Sequence, residues 1–288
     1  MKIIDIHTHG ICGLDTKTES PQEILKIAEL QGFYGISEIL LTIYPNKIKE
    51  MRKNIEAIKK AMNIQKNSKK MKHSAKILGV HLEGPFLNLE KAGSLNPSHF
   101  IKPERKKLQE LIEGYEDIIK IITIAPELEG AIDLIKILTK KGIIVSLGHS
   151  NATYNEAYSA YKAGAKGITH LFNAMRGIHH REPGIAGFGL TNQDIYVEII
   201  ADPYHINKTI LDLIFKTKNR ERIIIISDSI SATKYKNKNV NEPINKDGIL
   251  SGGSMVLTES ISRLISLGYN KEMILSCVTK NPKKYLKN

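Results

Sequence analysis

Ile3-Ile4-Asp5-Ile6-His7-Thr8-His9 decides the architecture: an apolar run that reads as a buried strand and ends in two imidazoles. The same arrangement recurs along the chain. Glu83 follows Ile77-Leu78-Gly79-Val80, and His149 follows Ile143-Ile144-Val145. His170 ends Gly167-Ile168-Thr169, and Asp228 closes Ile223-Ile224-Ile225-Ile226. Metal-ligand side chains at the C-terminal ends of several parallel strands are how an α/β barrel assembles a catalytic metal site. The pattern points to a metal-dependent hydrolase.

Outward from these ends, strand-like runs alternate with amphipathic stretches. Strands are expected near Lys2–Ile6, Glu38–Ile43, Lys76–Leu82, Lys120–Ile124, Ile143–Leu147, Gly167–His170, Tyr196–Ala201 and Arg222–Ser227. That makes eight, the number that closes a (β/α)8 TIM-type barrel. The runs are dense in isoleucine and valine with little alternation, as parallel strands covered on both faces require. Helices are expected at Ser20–Gln31, Lys47–Gln65, Pro103–Glu113, Leu128–Lys140, Asn155–Lys162 and Asn207–Phe215, then at Glu259–Ser266 and Lys271–Lys280. Ser20-Pro21 supplies a capping hydroxyl before a proline at the first helical position. Lys234–Gly253, rich in lysine, asparagine and glycine, reads as a loop over the barrel mouth. Residues 1–288 are expected to form a single domain.

The chain is 288 residues long, the usual size of one such barrel. Two cysteines, Cys12 and Cys277, cannot make a disulfide framework, so a reducing, cytoplasmic setting is expected. No apolar run is long enough to span a bilayer. The formal charge of +12 invites nucleic-acid binding. The lysines are scattered, however, tryptophan is absent, and no helix carries a basic stripe. A solvated surface without nucleic-acid or membrane partners is the better reading.

In a strand, residues two apart point the same way, so His7 and His9 can face one ion inside the barrel. Glu83 in His81-Leu82-Glu83-Gly84-Pro85-Phe86 stands where Gly84-Pro85 turns the chain. A lone histidine is more often a satisfied core or surface residue. Several at matched strand ends favour metal binding. Asp228, kept ionised by a neighbouring divalent ion, can take a proton from an attacking water and return it to a leaving amine.

These residues sit in segments that match a known family in order. They are His7-Thr8-His9-Gly10, His81-Leu82-Glu83-Gly84-Pro85, Gly148-His149-Ser150-Asn151-Ala152 and Thr169-His170-Leu171-Phe172-Asn173-Ala174-Met175. Arg181-Glu182-Pro183-Gly184, Ile200-Ala201-Asp202 with His205, Ser227-Asp228 and Leu250-Ser251-Gly252-Gly253-Ser254 complete the set. Together they resemble the N-acetylglucosamine-6-phosphate deacetylase family of the amidohydrolase superfamily. The resemblance implies hydrolysis of a 2-acetamido group on an amino sugar phosphate. It implies that Glu83, His149 and His170 bind the main divalent metal ion, zinc in the first instance, and that His7 and His9 hold a second where two are used. Asp228 is implied as the catalytic acid/base, Arg181 as a phosphate contact and His205 as a sugar contact. Asn173 and Ala174 fall in the substrate-contacting segment, and a homodimer is implied.

Three positions depart from the family pattern. The small accessory β-sandwich domain is expected to be absent, because the chain starts at the first barrel strand. Leu95, in Lys91-Ala92-Gly93-Ser94-Leu95-Asn96-Pro97, occupies the register of a histidine that helps bind the substrate, and leucine donates no hydrogen bond. Pro203 follows Asp202 where glycine is common. The departures leave two alternatives open: a deacylase of another acylated amino sugar or small amide, or a catalytically impaired binding or regulatory homologue.

Overall fold

The computed structural model describes residues 2–68, 73–235, 244 and 248–287. Eight parallel strands follow one another around the sheet in chain order. They are β1 (Ile4–Thr8), β2 (Glu38–Ile43), β3 (Lys76–Glu83), β4 (Ile119–Ile124), β5 (Ile144–Leu147), β6 (Gly167–Ile168), β7 (Tyr196–Ile200) and β8 (Ile223–Ile226). All eight expected strands are found, with ends within two residues of the sequence reading. The result is the expected (β/α)8 barrel.

The helices between strands are α1 (Pro21–Phe33), α2 (Ile48–Asn67), α3 (Arg105–Ile112), α4 (Ala131–Lys140), α5 (Tyr154–Ala163), α6 (Gly184–Thr191) and α7 (Lys208–Thr217). After β8 come α8 (Leu257–Ser266), α9 (Lys271–Val278) and α10 (Lys280–Tyr285). The Ser20 hydroxyl accepts from Glu23 N with Pro21 opening α1, as the cap predicts. Three features depart from expectation, the first being α10, a short helix that the sequence reading does not include. The helix expected over Lys271–Lys280 ends at Val278, because Thr279 leaves helical geometry (φ −129°, ψ −66°). Helix α6 was not anticipated. Its sequence, Gly-Ile-Ala-Gly-Phe-Gly-Leu-Thr, has no polar face, and seven of its eight residues are buried.

Two apolar layers result. The larger lies between the strands and helices and includes Ile39, Leu41 and Ile43 of β2. The smaller is a cluster with Ile4, Ile6, Leu40, Ile121, Ile224 and Ile226, closed by Tyr285 of α10. Gly167 is required here: a Cβ on it would lie 2.1 Å from the Tyr285 hydroxyl.

Two irregularities position the site. Between Asp5 and Thr8, β1 carries one extra residue relative to β2. Such a bulge re-aims the side chains that follow it. Ile6 packs in the smaller cluster while its neighbour His7 faces Glu83 and Asp228. The second irregularity is the seam between β8 and β1, which has no regular ladder. Asp228 N donates to His7 O (2.9 Å), His9 N donates to Ser229 O (2.7 Å), and Ser227 N donates to the side-chain Oδ1 of Asp5 (3.3 Å).

Part of the Lys234–Gly253 loop, at 236–243 and 245–247, lies outside the described residues. Its end is described: Ile249, Leu250, Ser251 and Gly252 line the cavity at the barrel mouth. Among the described residues, no helix is long and apolar enough to cross a membrane.

Candidate metal centre

Two groups of buried ligand-type side chains meet at the C-terminal ends of the strands: Glu83 with His149 and His170, and His7 with His9 and Asp228. In the first, Glu83 Oε1 is 3.2 Å from His149 Nε2 and 3.1 Å from His170 Nε2, and those two nitrogens are 3.1 Å apart. In the second, Asp228 Oδ1 is 3.3 Å from His7 Nε2 and 3.4 Å from His9 Nε2. Glu83 spans both groups, with Oε1 3.4 Å from His7 Nε2 and Oε2 3.3 Å from His9 Nε2. The five metal candidates and Asp228 therefore come together.

His149, His170 and Asp228 all sit at positive φ, 46°, 31° and 48°. Non-glycine residues rarely adopt that region, and such outliers gather at functional sites. The left-handed step turns each side chain off the end of its strand.

The ring orientations are set one layer further out. His149 Nδ1 pairs with Lys91 O (2.9 Å), and His170 Nδ1 with Asn173 O (3.2 Å). A ring nitrogen bonded to a carbonyl carries the proton, which leaves Nε2 as the free donor atom a metal requires. His7 Nδ1 faces Glu198 Oε2 at 3.3 Å. His9 Nδ1 is buried with no partner.

The electrostatics follow from burying so many ionisable groups together. Burial alone would raise the Glu83 carboxyl, but the charge of His7 and hydrogen bonds from His149, His170 and His7 hold it well below the carboxylate range. Burial would likewise lower His7, yet the charges of Asp228 and Glu83 raise it well above an ordinary imidazole. A cluster that draws a proton into its centre favours positive charge there. Nitrogen and carboxylate donors converging from several elements are also the ligand chemistry of a divalent ion. The residues fit a metal, and the same chain therefore supplies a divalent-metal site.

Several residues packed around the site were given no role in the sequence reading. Asp5, fully buried, is pushed by burial to about 6, despite hydrogen bonds from Ser227 and His7. Glu198 on β7 is buried, and burial raises its carboxyl. His81 bonds Thr123, which continues to Thr169 and Ser146, a polar string between neighbouring strands. Tyr44, just past β2, stacks on His9.

A cavity of about 210 Å³ opens over the cluster. His9, Glu83, His149, His170 and Asp228 line it, and so do the expected substrate contacts His205, Asn173 and Ala174. His205 Nδ1 is 2.9 Å from Asp202 Oδ2, and Asp202 also accepts from Ser254 N and Oγ. Burial opposes the charge on Asp202, but His205 and these donors hold its carboxyl well below the usual range. Leu95 lines the cavity as well. Arg181 does not. It is exposed, and its guanidinium Nη1 faces His180 Nε2 at 3.1 Å.

The chain is similar to N-acetylgalactosamine-6-phosphate deacetylase of Escherichia coli O157:H7, with 34% identity over 80% of this chain and 59% of that protein. It is also 34% identical to N-acetylglucosamine-6-phosphate deacetylase of Bacillus subtilis, over 92% of this chain and 64% of the relative. It thus spans less than two thirds of the length of these relatives. The crystal structure of N-acetylglucosamine-6-phosphate deacetylase from Thermotoga maritima superposes with a TM-score of 0.89 at 28% identity, covering 99% of this chain and 78% of that one. The amidohydrolase family pattern matches residues 2–288. Barrel, strand-end ligands and family pattern agree, and the chain belongs to the amidohydrolase family.

Proposed function

We propose that the chain is a metal-dependent amide hydrolase that releases acetate from N-acetylglucosamine 6-phosphate and leaves glucosamine 6-phosphate. One observation carries this reading. Glu83, His149 and His170 present a two-nitrogen, one-carboxylate donor set into the cavity that Asp228 also lines. That donor set with an open position is the form of catalytic zinc sites, and zinc is the proposed ion, one or two per chain. An ion held by Glu83, His149 and His170, with a second at His7 and His9, would supply Lewis acidity that polarises the amide carbonyl and strengthens water as a nucleophile.

The chain's own groups do the rest. Asp228 takes a proton from the water whose oxygen attacks the acetyl carbon. As the carbon–nitrogen bond breaks, Asp228 passes that proton to the departing amine. His205, fixed by Asp202, presents its ring to the sugar, and Asn173 and Ala174 shape the wall beside it. Arg181 is proposed to grip the 6-phosphate. Its place outside the cavity wall leaves that role resting on the resemblance, so Arg181→Ala should raise KM for the phosphorylated sugar selectively.

Leu95, Ile200, Ile230, Ile249 and Leu250 make an apolar part of the cavity wall. That observation favours a second reading, in which a larger acyl group is removed from an amino sugar. We further propose that residues 1–288 act as one domain, in the cytoplasm, as a homodimer without nucleic-acid or membrane partners. Sedimentation would measure the assembly.

The deciding assay measures acetate release from N-acetylglucosamine 6-phosphate, with the galacto epimer and longer acyl analogues alongside, before and after chelation. Metal-restored release from the acetylated gluco substrate is expected. Stoichiometric metal binding without release from any of them would sink the reading.

A further inference from the structure

Among the four histidines of the two triads, only His9 has a second ring nitrogen without a partner. No hydrogen bond at Nδ1 therefore helps to fix the plane of its ring, while Nε2 must aim at Glu83 and Asp228. Tyr44 replaces the missing hydrogen bond. Its ring lies 3.7 Å from the His9 ring, centroid to centroid, with the planes 16° apart. Lys17 Nζ is 4.1 Å from the same Tyr44 centroid. Two groups at such heights over one face would collide, so the ammonium and the imidazole occupy opposite faces. Tyr44 is clamped between them.

The local chain makes this clamp stiff. Thr8 N donates to Thr42 Oγ1 (3.1 Å) and Thr16 Oγ1 donates to Thr42 O (2.7 Å), tying the end of β2 to β1 and to the turn before Lys17. Lys17 N donates to Asp15 Oδ1 at 2.9 Å.

We infer that Tyr44, held by Lys17, is the positioning residue of the His7–His9–Asp228 triad: its ring fixes the plane of His9 and so the affinity of that triad for a divalent cation. The inference rests on the metal-hydrolase reading, and its test does not use activity. Metal-free protein is titrated with Co²⁺ against a chromophoric chelator, comparing Tyr44→Leu, Tyr44→Phe and Lys17→Met with the unaltered chain. Removal of an outer support of a metal ligand typically costs about ten- to a hundredfold in affinity. Tyr44→Leu should weaken one of two equivalents by that amount and leave the other within about twofold. Tyr44→Phe keeps the ring and should restore both affinities and the cobalt absorption spectrum. Lys17→Met, on the exposed side, should weaken the same equivalent by a few fold, and it carries the test if Tyr44→Leu does not fold. Equal loss at both sites, no loss at either, loss in Tyr44→Phe matching that in Tyr44→Leu, or a single equivalent in the unaltered chain would each overturn the inference. Two bound equivalents, one of them dependent on Tyr44, without acetate release would instead remove the deacetylase reading and leave Tyr44 in place.

Discussion

In the Glu83–His149–His170 triad both imidazoles hand Nδ1 to main-chain carbonyls, of Lys91 and Asn173. In the His7–His9–Asp228 triad the corresponding nitrogens meet a carboxylate, Glu198, and nothing polar at all. A carbonyl comes with the backbone and survives any substitution of its residue. A side chain does not. The first triad is therefore built to hold its geometry, while the second depends on Glu198 and Tyr44, each removable by one change. The expected order of affinity follows: the first group is the tighter site, and occupancy of the second is the adjustable quantity.

The strongest way to break that contrast is Glu83→Gln, since this carboxylate faces both groups. Activity should fall by at least on the order of 10³, with metal lost on dialysis. Asp228→Asn should cost about 10²–10⁴ in kcat, the range for a proton-transferring group, while the first equivalent of metal stays bound. Retained activity in Asp228→Asn would remove it from the acid/base role. Glu198→Leu should separate the triads, weakening one metal equivalent by about ten- to a hundredfold. Equal weakening of both would show that the supports are shared.

Lys218 gives a control remote from either group. It follows α7, is 3% exposed, and burial, aided by the charge of Arg222, lowers it from 10.5 to about 7. The unfolded chain keeps the proton up to about pH 10.5, whereas the fold gives it up above about 7. Stability should thus rise with pH through that window, by about 1.4 kcal/mol per unit, with the full penalty present below it. Lys218→Met should flatten the rise in a urea-unfolding series. A pH dependence of metal binding that persists in this variant then belongs to the triads. The smallest effect is expected from Leu95→His, a rise of a few fold in kcat/KM. No change would mean that the cavity uses another donor.

The barrel was legible because Ile3–Ile6, Ile77–Val80 and Ile223–Ile226 are apolar runs of strand length, and their polar terminators recur at matching places. Helix α6 was not, since an all-apolar segment with three glycines lacks the periodicity that betrays a surface helix. The side chains that gather in the two triads could be read from their positions after strands. Their supports could not. Glu198 looks like an ordinary polar interruption of Tyr196–Ile200, and Asp5 like one in β1, until the fold shows both fully enclosed. Tyr44 sits in a loop, and only the bulged first strand brings His9 beneath it. Arg181 marks the converse limit: a motif match did not carry it to the cavity.

The clasp between the last strand and the first has a bearing on how competence is acquired. Asp5, whose carboxylate receives Ser227, lies on the same strand as His7, and Asp228 reaches its position only when that join is made. With that join open, Glu83, His149 and His170 would still face one another, but Asp228, the proposed proton carrier, would not be held against His7. Ring completion thus brings the two triads into one cavity, and the seam rather than any single strand sets their spacing.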